Sequence, residues 1–314
     1  MALNTTPFVV TDGEHTAQQF RMMIKDLAQG NQGVTQGSYL KVSALSTPGA
    51  GVQIGDGSAV ITGVYAPNQG SYNVYNIGTD TVSISAAGGT GRSDMIVLRV
   101  QDPEYEGSRD PSNAAFFDVI SNVSSTATTV PSGYSAIPLA RIDIPSSTAT
   151  ITNAMIKDLR KVANPRRERV LYPYYAASDL VEISGTSETW KTFPNLTMQN
   201  IPIPSWAASV KVVFTICGLR LADGNIWGNF RFMLGTIEAA QYVGIDDNQG
   251  NAARRNTVQM IETIDLTTTT GAAMRGTTQP FYSRMRTRSS NAGKIGVDGT
   301  TTFNIDVEFT EGAL

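Results

Sequence analysis

Cysteine and histidine are almost missing from this chain. With one cysteine, Cys217, neither an intrachain disulfide nor a thiolate metal cage can form. With one histidine, His15, multi-histidine metal sites are excluded, and a histidine-based triad would hang on that single residue. Charge is scarce too, at 16% of residues against roughly 25% in an average soluble protein. The balance of 24 basic and 27 acidic residues nets -3, which leaves no global basic field to hold nucleic acid. No run of about 20 apolar residues occurs, so no membrane insertion through a spanning helix is expected. The opening MALNTTPFVV has no basic segment followed by a long apolar one; no signal peptide is expected, and synthesis stays in a cytoplasm.

What is present points to β structure. Hydrophobic residues make up 41% of the 314, enough to bury a core, and the polar content is Thr, Ser, Asn, Gln and 29 glycines. Threonine suits strands, and glycine and asparagine suit turns. Length suggests two domains of ordinary size or one large all-β unit. Without disulfides, stability must come from packing, strand pairing and oligomerisation.

Three regions follow along the chain. Residues 1–30 form an N-terminal arm and an amphipathic helix, in which Ala17, Phe20, Met23, Ile24, Leu27 and Ala28 recur at helical spacing. Thr16 and Gln19 fit a capping box, and Gly30 fits a C-cap. Such a stripe needs a partner surface, either the body of the same domain or a neighbouring subunit. Residues 31–165 alternate period-two strands with turn clusters such as Thr47-Pro48-Gly49 and Gly55-Asp56-Gly57. This small β domain is expected to end in a short helical junction, Asn153–Lys161, where Met155, Ile156 and Leu159 have helical spacing. Asn164-Pro165 then stops the helix and opens the cluster Arg166-Arg167-Glu168-Arg169. Residues 166–314 carry eight expected strands and the hairpin signal Asp223-Gly224, which suits an antiparallel, jelly-roll-like β-sandwich. Val210, Val212, Phe214 and Ile216 define one fully apolar face there, and Phe303, Ile305, Val307 and Phe309 another.

The middle of the chain has a succession of motifs. Gly91-Arg92-Ser93-Asp94-Met95-Ile96-Val97-Leu98 comes first, then Ile137-Pro138-Leu139-Ala140-Arg141-Ile142-Asp143, then Thr150-Ile151-Thr152-Asn153-Ala154-Met155-Ile156-Lys157-Asp158-Leu159-Arg160. This order resembles the minor tail or baseplate proteins of long-tailed bacteriophages that infect Gram-positive bacteria, over about residues 1–165. The resemblance implies a virion protein of the phage tail, usually a homotrimer, whose N-terminal half attaches to other tail or baseplate proteins. A C-terminal domain would face outward, toward a receptor or a further fibre protein. Phe20, Met23, Ile24, Leu27, Arg166 and Arg167 are the candidates for an oligomer or tail interface. Arg166-Arg167-Arg169 also reads as a solvated linker. Arg92, Asp94, Arg141, Asp158 and Arg160 are expected to form ion pairs, either pinning the short helix on the sheet or reaching across a subunit interface.

No catalytic residue stands out, and neither a metal nor a cofactor is expected. Gly88-Gly89-Thr90-Gly91-Arg92 lacks the Gly-Lys-Ser/Thr ending of a phosphate loop. Asp246-Asp247-Asn248-Gln249-Gly250 has Thr257 where a calcium loop needs an acid. Glu238, Asp246 and Asp247 obey no glycosidase spacing rule. Cys217 sits in an apolar strand as a small buried hydrophobe. Binding is better represented. Arg284, Arg286 and Arg288 alternate on one strand face and suit an anionic polymer such as teichoic acid, or cross-strand pairing with acids such as Asp306 and Glu308. Trp190, Trp227, Tyr242 and Tyr282 suit a platform for host cell-wall glycan, with Trp227 expected in the core.

Overall fold

The computed structural model describes residues 7, 8, 10–194 and 196–314, and the protein is mainly β, with 46% strand and 8% helix. The chain divides into two compact units, residues 1–165 with Gly312–Leu314, and Arg166–Glu311. The last three residues thus return to the first unit, where the Leu314 amide donates to the Gly37 carbonyl at 3.0 Å.

The first unit opens with the helix Ala17–Leu27, and its start is a capping box: the Gln19 amide donates to Thr16 Oγ1 at 3.2 Å, and the Thr16 amide donates to Gln19 Oε1 at 2.8 Å. Its apolar stripe is not the seam that holds it. Ala28 is buried, but Phe20 and Leu27 are 47% and 71% exposed, while the buried residue of the helix is Arg21. Arg21 donates to the Gln69 carbonyl at 2.8 Å, pairs with Asp102 at 3.3 Å and Glu104 at 2.8 Å, and lies over the Tyr72 and Tyr105 rings. The surface beneath offers carboxylates, a carbonyl and aromatic faces, so a guanidinium fits it better than Phe20 does. Gly70 makes the approach possible: it sits at φ +80°, and a Cβ there would fall 2.6 Å from the Arg21 carbonyl carbon.

Three antiparallel sheets complete this unit. Gly57–Thr62 lies between Gly33–Val34 and Ser71–Asn76, and Gly51–Ile54 lies between Val42–Ala44 and Asp80–Ser83. The third runs Ile156–Asp158, Ala136–Ile144, Arg92–Val100, Ala115–Val123. Arg92–Val100 is covered on both faces, which explains its unbroken apolar run. The expected helical junction is corrected here: only one 3-10 turn forms, Asn153–Met155, and Ile156–Asp158 continues as a strand on Ala136–Ile144. Ile156 and Leu159 match a helical period, but an open sheet edge supplied backbone partners to that segment.

The second unit is a sandwich of twelve antiparallel strands among the described residues, against eight expected. One sheet runs Arg167–Tyr175, Thr302–Glu311, Ala207–Ala222, Lys294–Val297, Val181–Ile183, with Arg254–Asp265 along the other side of Ala207–Ala222. The other runs Lys191–Thr192, Thr278–Thr287, Ile226–Leu234, Ile237–Glu238; Gln199–Pro202 pairs Thr278–Thr287, and Val243–Asp247 pairs Ile226–Leu234. The two inner faces form one core, in which the Phe214 ring meets Phe281 at 5.1 Å, Phe303 at 6.2 Å and Phe232 at 6.5 Å. Gly218, at φ +76°, takes the bulge between Ile216 and Leu219, where a Cβ would fall 2.7 Å from the Thr300 carbonyl oxygen. Cys217, beside it, is half-buried and not enclosed in the core.

The Arg166–Arg169 cluster is corrected from a solvated linker to the start of an edge strand. Arg167–Tyr175 pairs with Thr302–Glu311 over its whole length. Arg166 pairs with Glu311 at 2.9 Å and Arg167 with Glu308 at 3.7 Å, while Arg169 donates to Asp306 at 2.9 Å. The acids expected to answer Arg284, Arg286 and Arg288 are therefore taken by this strand, because register places it beside them.

Candidate functional site

The ion-pair candidates of the first unit lie on three strands or, for Arg160, two residues past the end of one, and each pair is local. Arg92 Nε holds Asp94 at 2.9 Å, Arg141 Nε holds Asp143 at 2.8 Å, and Arg160 Nη2 holds Asp158 at 2.7 Å. Partners two residues apart project from the same strand face, so Arg92 and Arg141 each close on their own strand, and Arg160 closes back on the last residue of the strand before it. The sequence motif R-x-D, and D-x-R in reverse, is this pairing. Spare groups tie down backbone: Asp94 accepts from the Asn122 amide at 3.0 Å, Arg141 donates to the Ala127 carbonyl at 3.0 Å, and Arg160 donates to the carbonyls of Gly37 and Leu314 at 3.1 Å each. These groups are consumed by structure and offer no free chemistry.

The binding candidates converge. Strand period two sends Ile226, Phe230, Phe232 and Leu234 into the core, so Trp227, Asn229, Arg231 and Met233 face outward. Trp227 is 44% exposed, which corrects its expected core role: the hydrophobic strand that follows it has the opposite parity. On the neighbouring strand Arg284 stands opposite Arg231, and Arg286 opposite Asn229. On the other side Gly244 stands opposite Asn229, and Asp246 opposite Trp227. Trp190 and Tyr242 close the face from its two edges, with ring centroids 6.0 Å apart and Tyr242 55% exposed.

Guanidinium groups decorate these rings. Arg231 lies 4.2 Å and Arg286 4.8 Å from the Trp190 centroid, and Arg286 lies 5.5 Å from that of Tyr242. Cation–π contact of this kind is worth ~0.5–1 kcal/mol at an exposed site. Like charges facing each other across a sheet repel, and Glu238 offsets this by bonding Arg231 and pairing with Arg284 at 3.2 Å. Arg284 also donates to the Trp190 carbonyl at 3.0 Å, which anchors that edge. Arg288 pairs with Glu188 at 2.9 Å. Of the candidates, Trp190, Tyr242, Arg284 and Arg286 meet in one cluster, and Arg288 sits at its rim. Arg231 and Asn229 were not foreseen, and Glu238 was weighed only as a glycosidase carboxylate. Alternation in Phe230-Arg231-Phe232 was the available signal for Arg231; nothing local marked Glu238, whose role depends on a short strand, Ile237–Glu238, folding back on Met233 and Leu234.

Among the described residues no group of three His, Cys, Asp or Glu side chains is placed to hold a metal, and no helix is long and apolar enough to cross a membrane. Helix candidates Phe20 and Leu27 lie exposed, Met23 and Ile24 half-buried.

No family model and no curated protein matches the chain. Among solved structures, infectious bursal disease virus of the Gx strain aligns at a TM-score of 0.24 and 10% identity, covering 90% of this chain and 74% of that one. T=1 particles derived from the same virus align at 0.23 and 9%, covering 90% and 76%. A Bacillus thuringiensis Cry1Da tryptic core variant aligns at 0.15 and 11%, covering 98% and 57%. Superpositions at such TM-scores do not establish a shared fold.

Proposed function

We propose that this chain is a structural protein of a virus particle, built into the tail tip or baseplate of a long-tailed bacteriophage and acting without catalysis. One observation carries the reading. The three motifs that resemble phage tail proteins are not scattered: they supply Arg92–Val100, Ala136–Ile144 and Ile156–Asp158, three neighbouring strands of one sheet. What resembles tail proteins is therefore a single packed block. In this reading the first unit attaches to tail partners as a homotrimer, and the exposed Phe20 and Leu27 belong to the contact, since an assembled neighbour would remove that apolar surface from water. Imaging of purified particles is expected to place the chain at the tail tip. A protein that is strictly monomeric by light scattering and absent from mature particles overturns the proposal.

A second reading concerns the outward unit. The cluster of Trp190, Tyr242, Arg231 and Arg286 has the composition of a surface for host cell-wall glycan, with aromatic faces for sugar rings and guanidinium groups for their polar edges. The full chain is expected to bind host envelopes and to compete with infection, while releasing no fragments from cell-wall polysaccharide. Steady release of fragments, abolished by replacing one carboxylate, overturns the non-enzymatic reading.

A further inference from the structure

The outer face of the second sheet leaves one cation unanswered. Arg231 and Arg284 share Glu238, and Arg288 has Glu188. Arg286, in the middle of the same surface, has no carboxylate partner among the described residues. Its Nε donates to the neutral Oδ1 of Asn229 at 3.1 Å, and its two Nη groups have no hydrogen-bond partner among the described residues. That free Nη edge lies beside two aromatic rings, at 4.8 Å and 5.5 Å from guanidinium carbon to centroid. In the next strand Gly244 contributes no side chain, and a Cβ there would meet only the Asn229 amide nitrogen, at 3.5 Å. The surface is thus open between Tyr242 and Asp246.

We infer that this face binds an acidic sugar, with the ring stacked on Tyr242 and the sugar's carboxylate or phosphate group held by the free edge of Arg286. The inference rests on the host-attachment reading above and narrows it. A guanidinium edge presents two parallel N–H groups, which match the two oxygens of one acidic group. The aromatic faces accept the apolar face of a pyranose. Charge on the face sets the spacing: Glu238 is shared by Arg231 and Arg284, Glu188 is taken by Arg288, and Asp246 stands in the neighbouring strand, so four arginines against three carboxylates leave one net positive charge. One uncompensated charge matches one acidic group with neutral neighbours and gives little to a chain that is charged at every unit, such as single-stranded nucleic acid. The ligand is therefore a sparsely charged acidic glycan.

The test titrates the full chain, by calorimetry and tryptophan emission, with an oligosaccharide of alternating glucuronate and neutral N-acetylglucosamine, a sparsely phosphorylated mannan oligosaccharide, a neutral malto-oligosaccharide and oligo-dT. Acidic saccharides are expected to bind ~10- to 100-fold more tightly than the neutral one, the range of a hydrogen bond to a charged group. The advantage shrinks at high salt, because the site is exposed. Arg286→Gln removes it and lowers the melting temperature by only a few degrees, the scale of its ring contacts; Arg286→Lys restores only part; Tyr242→Ala weakens acidic and neutral sugars alike. Preference between the glucuronate oligosaccharide and phosphomannan identifies the acidic group. Equal binding of acidic and neutral sugars, unaffected by Arg286→Gln, overturns the acidic inference and leaves glycan attachment standing. Binding of no saccharide overturns both, and oligo-dT binding more tightly than any sugar replaces the ligand class.

Discussion

The two units solve the same β problem with different materials. The core of the first is aliphatic, built from Val34, Leu40, Ile54, Ile61, Ile96, Leu139 and their neighbours, with no aromatic side chain among its fully buried members. Its strands are short, nine residues at the longest. The core of the second is stacked with phenylalanine, and its central strand, Ala207–Ala222, runs sixteen residues. Charge is handled differently as well. In the first unit's central sheet Arg92 and Arg141 close on an aspartate two residues away, as Arg160 does just past the end of its last strand, while Arg99 has its own two carboxylates, Glu106 and Asp118. On the outer sheet of the second, Arg231 and Arg284 face each other across strands and share one carboxylate, Glu238, and Arg286 receives none. In the unit with small strands and a modest core, each of these arginines has a carboxylate of its own. A unit with a large aromatic core tolerates an unanswered cation on its surface, and that tolerance is what a binding face requires.

Tryptophan emission separates the two, because Trp190, Trp206 and Trp227 all lie in the second unit. The largest expected effect is Phe214→Ala. The side chain is fully buried and touches three other rings, so truncation costs about 3–5 kcal/mol as lost transfer energy and cavity. Denaturant unfolding followed by tryptophan emission should show the loss directly. A shift below about 1 kcal/mol would mean that the aromatic stack does not hold this unit together.

Next in size is Asp94→Ala, which strikes the first unit's own device. The Asp94 side chain is 1% exposed, pairs with Arg92 and accepts from the Asn122 amide, so its removal strands a partly buried guanidinium and a backbone donor. About 2–3 kcal/mol is expected, read from amide exchange along Arg92–Val100 and Ala115–Val123, with the tryptophan midpoint unchanged. If exchange is unaltered, the Arg-x-Asp motif is decoration.

How far these differences could be seen in the sequence depended on the range of the interaction. The capping box at Thr16 and Gln19, and the alternation through Val210–Ile216 and Phe303–Phe309, are local patterns, and the structure has them where they were expected. Arg21 was not legible, because its partners Asp102 and Glu104 are some eighty residues away. The strands Arg167–Tyr175, Val243–Asp247 and Lys294–Val297 were missed for a related reason. The first begins with charges and continues with tyrosines and a proline, and the others are four or five residues long; each exists because a longer strand offers it an edge. The face of arginines and aromatic rings was half legible: its arginines alternate visibly, whereas their pairing with Glu238 and their nearness to Trp190 arise from cross-strand register alone.

A smaller effect sharpens the charge comparison. Glu238→Gln leaves Arg231 and Arg284 opposed with no carboxylate between them. Glu238 is partly exposed, so solvent screens much of the repulsion, and about 1 kcal/mol is expected in the tryptophan-monitored midpoint. The loss should diminish as salt is added. Salt-independent destabilisation would assign Glu238 a packing role.

The smallest and most distributed effect is acid sensitivity. The guanidinium of Arg255 holds the Asp298 carboxyl well below the usual carboxylate range, and Arg254, Arg169 and Arg141 do the same for Asp247, Asp306 and Asp143. A carboxylate whose pKa is lowered by folding stabilises the native state above its unfolded value, and that contribution disappears as pH falls through the folded value. Stability is therefore expected to be flat from neutrality to about pH 5 and to decline below about pH 4, where unfolded aspartates begin to protonate. Three of the four carboxylates belong to the second unit, so tryptophan emission should register the larger share of the decline. Asp298→Asn should flatten part of it while lowering stability at neutral pH, since the pair is then broken at every pH. A profile that falls on the alkaline side instead would show that buried bases, and not these aspartates, govern the pH response.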